Sequence, residues 1–387
     1  MKEAVAWLLA ISFLVTPPVV HAQWTGNSSV IGRAYPGKLP AGGERRELTF
    51  EATVRRVWSW GDGGRFLTIS PRIRLDPGNH GRSQLDGSDL LLELIWANTE
   101  LAVGVATLNW SLAESVPLVD VVNQQDFGED RPSPERLGQP MIHTRRFWTG
   151  GAVELLLLPL FRKRQFEGRG GALWSLMRVE KEFTRPAEPR STLIDDWALR
   201  LTQTVGTIDL GLAYLDGTNR QPTYSHEVPV GQTSGVLVPM YNQMRQASVD
   251  AQWTLDAWII KVEGLRRVTD SETFHALVAG VEYAFANYLS VFFEYAYDER
   301  GAQATTSFEN DAFVGARLLT QEWTVTGRTF IDTRSANVIA SATVSRRLGS
   351  FAAIDFKGRV FSGHAEDEPG FANRRDGYGA LQLRYFF

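Results

Sequence analysis

The feature that most constrains this chain is an alternation. From Asp196 to Phe387 it divides into segments of around ten residues in which every second side chain is apolar. In one of them Leu289, Val291, Phe293, Tyr295 and Tyr297 share a face, and Ser290, Phe292, Glu294 and Ala296 share the other. In a second, Ala312, Val314, Ala316 and Leu318 oppose Asp311 and Arg317; in a third, Ala352, Ile354, Phe356 and Val360 oppose Asp355, Lys357 and Arg359. Successive side chains of a strand point to opposite faces, so each segment reads as a strand with one apolar and one polar side. The same pattern marks Asp196–Gln203, Thr207–Asp216, Ala247–Leu255, Trp258–Arg266, Ala276–Phe285, Trp323–Asp332 and Val338–Arg346. These strands exceed the five or six residues usual in globular sheets and match what a tilted strand needs to cross a bilayer.

The connections alternate too. Tight turns at Val205-Gly206, Asp256, Asn287, Gln321 and Leu348-Gly349 are interleaved with longer polar loops at Gly217–Arg245, Glu299–Phe308 and Gly363–Asp376. Short turns at one end and long loops at the other are the pattern of an outer-membrane barrel, periplasmic and extracellular respectively. A helical crossing is excluded after residue 22. The longest apolar run, Gly151–Phe161, is interrupted by Glu154 and Pro159 and falls short of the roughly 18 residues a helix requires.

The N-terminus reads as an export signal. Lys2 precedes an apolar run from Ala4 to Val15, and Val20-His21-Ala22 places small residues at a cleavage site. The expected organisation is therefore a signal peptide over 1–22 and a single barrel domain over 23–387. Cysteine is absent, which excludes disulfides, thiolate metal sites and cysteine nucleophiles. A net charge of -4 gives no reason to expect a nucleic-acid partner.

Counting strands requires the N-terminal half. Segments at Glu47–Trp58, Phe66–Leu75, Leu90–Trp96, Leu101–Asn109 and Ala152–Leu160, added to the eleven from Asp196 onward, give 16. That count puts the tight Asn98-Thr99 turn outside and the long stretch Ser111–Gly150 in the periplasm, the reverse of the usual arrangement. One more strand near Val30–Ala34 and one within Gly171–Phe183 give 18 and restore it. The reading is an all-β, antiparallel, up-and-down transmembrane β-barrel of 18 strands, with 16 as the alternative. Residues 111–150 form a long loop expected to fold into the lumen.

Two stretches carry resemblances. The C-terminal GYGALQLRYFF, with Tyr385 and Phe387 on its apolar face, resembles the terminal strand that the barrel-assembly machinery reads in outer-membrane barrels; Gln382 stands where the usual glycine would be. The run from Leu108 to Phe161 resembles a porin-like outer-membrane β-barrel family of unknown function, distantly like alginate-export porins. Trp110, Asp120-Val121-Val122-Asn123, Asp126 and Pro159-Leu160-Phe161 match its D-V-V-N-P-x-D pattern and following strand, while Leu108-Asn109, Ser111 and Gln124 depart from it. The resemblance implies an outer-membrane channel and no particular solute.

Candidate functional residues follow from this frame. In the long loop, Asp120, Asn123, Asp126, Glu129 and Asp130 either cap the loop's own turns or face basic wall residues across a constriction. On the polar strand faces, Arg200, Lys261, Glu282, Glu294, Arg317, Arg328, Asp355, Lys357, Arg359 and Arg384 are expected in the lumen. A charge facing lipid near mid-bilayer costs roughly 2–4 kcal/mol. Both signs are present in near balance, so ion preference stays open, as does oligomeric state. No HExxH, phosphate-binding loop, dinucleotide fingerprint or GxSxG occurs, and no metal or cofactor is expected. The expected function is a passive channel for small solutes in the outer membrane, with lipid and the assembly machinery as partners. A scaffold barrel around a partner, a barrel plugged by its own loop, and a barrel enzyme are the alternatives.

Overall fold

Eighteen strands pair edge to edge until the sheet closes on itself. The structure is a computed structural model that describes residues 24–36, 46–61, 63–128, 135–166, 178–179, 185–186, 196–228, 235–286, 288–304, 309–335, 337–362 and 377–387. The first seven strands are β1 (Trp24–Ala34), β2 (Arg46–Trp60), β3 (Arg65–Leu75), β4 (Gln84–Trp96), β5 (Thr99–Ala106), β6 (Gln139–Trp148) and β7 (Gly151–Leu158). Then come β8 (Asp196–Val205), β9 (Ile208–Thr218), β10 (Gln243–Leu255), β11 (Trp258–Thr269), β12 (Thr273–Ala286) and β13 (Leu289–Asp298). The last five are β14 (Asn310–Leu319), β15 (Trp323–Asp332), β16 (Val338–Leu348), β17 (Ala352–Ser362) and β18 (Tyr378–Phe386). Each pairs antiparallel with the next, and β18 returns to β1 with Phe386 opposite Asn27 and Gly379 opposite Ala34. The Phe387 carbonyl accepts from the Gly26 N–H at 2.9 Å and its N–H donates back to the Gly26 carbonyl at 3.1 Å. Closure leaves no open sheet edge, the condition for a sheet in hydrocarbon.

Short turns occupy one end of the barrel. Two of them, at Ala97 and Asp256, bring a non-glycine residue to positive φ, 50° and 49°, the backbone form that two-residue hairpins demand. Long connections occupy the other end. There, Gln125–Phe127 pairs with Glu135–Arg136 and Gln165–Phe166, and the hairpin Thr223–Glu227/Val236–Tyr241 collects Arg178–Val179 and Arg185–Pro186. No α-helix occurs among the described residues.

The alternation sorts side chains as in a membrane barrel. Leu199, Leu212, Val249, Val281, Phe293, Val314, Phe356 and Leu383 are exposed on the outside. Glu47, Arg200, Asp250, Glu263, Glu294, Asp311 and Asp355 are buried within. Exposed aromatics gather near the turn end: Trp24, Trp96, Trp148, Trp253, Trp258, Tyr288, Trp323, Phe351, Tyr385 and Phe387. An apolar outer band edged by aromatics around a polar interior defines a transmembrane β-barrel.

The strand total of 18 agrees with the sequence reading, but one strand lies elsewhere. The wall gains β6, at Gln139–Trp148, from inside the stretch read as a loop over 111–150; the loop between β5 and β6 is 107–138. The alternation of β6 is masked because its inward Met141 packs against the loop while its outer side carries Pro140, Thr144 and Arg146. The strand expected within Gly171–Phe183 falls mostly outside the described residues. Its described part, Arg178–Val179, pairs with Val236–Leu237 rather than in the barrel sheet. The signal peptide over 1–22 also lies outside the described residues.

Candidate functional site

The loop after β5 is pinned first by Asn123. Its Nδ2 donates to the Ala106 carbonyl at 3.1 Å and to the Leu137 carbonyl at 2.9 Å, and its Oδ1 accepts from the Leu108 N–H at 2.8 Å. One amide thus ties the end of β5 to the approach to β6. From that staple the chain crosses the lumen.

The crossing is held by two wall carboxylates. Glu263 on β11 accepts from Ser111 Oγ at 2.7 Å and from the N–H groups of Ala113, Leu118 and Val119 at 2.8, 3.1 and 3.2 Å, with the Leu112 N–H beside them. Glu294 on β13 accepts from the N–H groups of Glu114 and Ser115 at 2.9 and 2.8 Å and from Ser115 Oγ. The physical reason is satisfaction: an irregular segment inside a barrel has no ladder partners for its N–H groups. A carboxylate offers about four acceptor positions to such a cluster. Glu114 then reaches farther, accepting from Arg317 on β14 at 2.7 Å and lying 3.8 Å from Lys261. In a ring of 18 strands β14 is nine from β5, so the segment spans the full lumen.

An apolar face backs the same segment. Trp110, Val119, Val121 and Val122 pack with Ala106, Met141, Leu156, Leu158, Ala198, Ala213, Leu215 and Met244, the inward residues of β5–β10. This side of the lumen is a core. Arg200 borders it, ion-paired to Asp250 at 2.9 Å with its guanidinium 5.2 Å from the Trp110 ring.

Of the loop acids read as turn caps or as partners of basic wall residues, Asp120 and Asp126 have buried side chains. Asp120 is ion-paired with Arg136 of the same loop, with its side chain 1% exposed. Burial pushes its carboxyl up to about 6, an effect the Arg136 charge partly offsets. Asp126 pairs with Arg74 of β3 at 2.8 Å and caps the Gly128 N–H at 2.8 Å. These carboxylates are withdrawn because their cations lie within the folded loop and the wall beneath it, and Glu114 is the acid the segment turns toward the half-exposed Arg317. Glu129 and Asp130 lie outside the described residues.

The wall charges fall into two groups. Lys261, Glu282, Glu294 and Arg317 surround the crossing, with Lys261 and Glu282 3.3 Å apart. On β17 and β18, Asp355 pairs with Arg384 at 2.6 Å and Arg359 lies 5.4 Å from the Tyr378 ring. Arg328 and Lys357 point inward from β15 and β17 and are half-buried. The inward Thr326, Thr343 and Ser345 are likewise half-buried, whereas the inward Ala353, Asp355 and Arg359 of β17 are buried, so the segment packs the β5–β13 side and leaves the β15–β16 side more open. Tyr385 and Phe387 lie on the lipid-facing surface, rings 6.3 Å apart. Three arginines of the loop end, Arg164, Arg220 and Arg267, escape the sequence reading. Two sit in loops without periodicity. Arg267 stands one residue past the strand read there, in register with Lys261 and Glu263, so extending the alternation would have found it.

No family model and no curated protein matches the chain. Among solved structures, a mutant of Rh. blastica porin aligns over 95% of this chain and 100% of its own at 11% identity, with a TM-score of 0.48. A second mutant of that porin aligns over the same shares at 10% identity and 0.47, and a structure titled "Asymmetric conductivity of engineered proteins" at 10% and 0.49. The chain's own pairings and faces define its class: a transmembrane β-barrel crossed internally by one of its own loops.

Proposed function

We propose that the protein is an outer-membrane channel through which small polar solutes diffuse passively, narrowed by residues 107–128. The observation that carries this reading is the crossing itself: a loop fastened to Glu263, Glu294 and Arg317 inside a barrel whose opposite inner face is left partly open. A barrel of this size encloses an aqueous lumen unless something fills it. Carboxylates and arginines facing across such a gap orient dipolar solutes. The signal peptide over 1–22 and the terminal Tyr385 and Phe387, as marks for export and for the assembly machinery, belong to the same reading. The apolar packing of Trp110, Val119 and Val122 against β5–β10 favours a plug as the second reading.

The test is single-channel conductance in planar bilayers, comparing the full chain with a variant whose residues 111–121 are a glycine–serine linker of equal length. Steady conductance that rises in the variant supports a constricted channel. A silent full chain that the linker opens makes the segment a plug, and silence in both overturns the channel.

A further inference from the structure

The loop end of the lumen contains a small cavity of about 50 Å³ walled by four arginines, Arg164, Arg220, Arg267 and Arg300. Two of them are balanced. Arg220 pairs with Asp196 at 2.7 Å, and Arg300 with Asp298 at 2.7 Å and Glu272 at 2.8 Å. The other two make no direct ion pair. Arg164, 6% exposed, donates to the Gln124 and Gln125 side-chain oxygens at 3.4 and 3.1 Å, to the Arg220 carbonyl at 3.2 Å and to the Tyr224 hydroxyl, all neutral acceptors. Its guanidinium lies 4.1 Å from the Phe127 ring. Arg267, 4% exposed, donates to the side-chain oxygens of Gln246 at 2.8 Å and Gln221 at 2.7 Å. Neither is in direct ion-pair contact among the described residues, although Asp298 and Glu272, both paired with Arg300, also act on Arg267 from within electrostatic reach.

A buried guanidinium that meets no carboxylate directly is costly, and Arg164 and Arg267 are two such groups beside one void. The acid on the cavity's loop wall does not supply the charge, because Asp120 is engaged by Arg136. The void has room for a few waters, one needing about 10–15 Å³. Leu118, Leu265 and Phe274 form an apolar side of it. We propose that this cavity is a binding site for the carboxylate of a small organic acid with a short apolar chain, the anion lying between Arg164 and Arg267 and its chain against Leu118 and Leu265. The guanidinium fork suits a planar carboxylate better than it suits a neutral polar group. As a station on a solute's route the site rests on the channel reading; as a binding site it stands without it.

The experiment uses the refolded full chain in detergent and needs no conduction. Saturation-transfer NMR is recorded on the methyl protons of sodium propionate, with 1-propanol as a neutral control of the same chain length. Expected are transfer to propionate and none to propanol, with affinity falling about ten- to a hundredfold in R164Q and R267Q, the loss of one or two charge-assisted hydrogen bonds. R267K, which keeps the charge and loses the fork, should fall between. Equal binding of propanol by the parent chain overturns the proposal and requires no variant. Propionate binding unchanged in folded R164Q and R267Q also overturns it, and displacement by inorganic phosphate at equal concentration overturns the carboxylate assignment. Propionate binding in a barrel that fails the bilayer test would leave the site standing and the channel refuted.

Discussion

Replacing Glu263 with Gln keeps the size of the side chain and removes the charge on which five donors converge. In the parent, one oxygen accepts from Ser111 Oγ, Leu112 and Ala113, and the other from Leu118 and Val119. A glutamine keeps one accepting oxygen and turns a donating NH₂ toward the remaining N–H groups. Hydrogen bonds to a charged group are worth roughly 1.5–3 kcal/mol against 0.5–1.5 for neutral ones, and a buried donor left unpaired costs about 1–3 kcal/mol. Such terms do not add fully in one network, so the docked segment should lose about 3–5 kcal/mol, within the range for breaking a buried charged contact. The undocked population then rises between about a hundredfold and a few thousandfold. Amide hydrogen exchange at Leu118 and Val119 reads this directly, with protection falling by that factor while amides in β15–β17 keep theirs. Single-channel records should show new openings in E263Q. If the folded variant exchanges these amides as slowly as the parent and its current trace is unchanged, the wall carboxylate does not hold the segment.

Asp120 gives docking a pH dependence. Its carboxyl is raised from 3.8 to about 6 in the docked loop, first by burial. The docked state therefore holds its proton more tightly. The resulting stabilisation, about 3 kcal/mol, is present in full below about pH 4 and is lost as pH rises through about 6. Exchange protection at Val122, corrected for intrinsic rates, should rise by up to about a hundredfold from neutral to acid pH in the parent and stay flat in D120N. Gly104 tests the wall beneath: its φ is 146° and a Cβ there would sit 1.9 Å from the Leu90 carbonyl. G104A should destabilise the barrel by about 1–3 kcal/mol, seen as a lower melting temperature by far-UV circular dichroism; an unchanged melt would show that the β4–β5 contact relaxes freely.

How far the sequence discloses this molecule depends on which medium each face meets. From Asp196 onward most strands have lipid outside and polar lumen inside, and alternation alone locates them to within a few residues. It fails at β6, whose inside packs against Val119 and Val122 of its own loop, so both faces of Met141 and its neighbours lose their contrast. The parity of turns and loops still demanded an extra strand, and so the count reached 18 with one strand misplaced. The crossing was legible as an odd stretch, and Asn123 as a turn-forming residue. Its true anchors were not, because Glu263 and Glu294 differ from other inward acids only in what lies opposite them, 144 to 180 residues away in the chain.

The crossing also has a mechanical side. A closed single-layer sheet is stiff along its strands and weak against flattening, since ovalisation bends the hydrogen-bonded rows without breaking them. A segment rooted at β5 and fastened at β11, β13 and β14 works as a strut across the hoop. Lateral pressure that squeezes the wall along that diameter must load the contacts at Glu263, Glu294 and Arg317. Roundness of the barrel and seating of the segment are therefore one mechanical variable, and loosening either one softens the other.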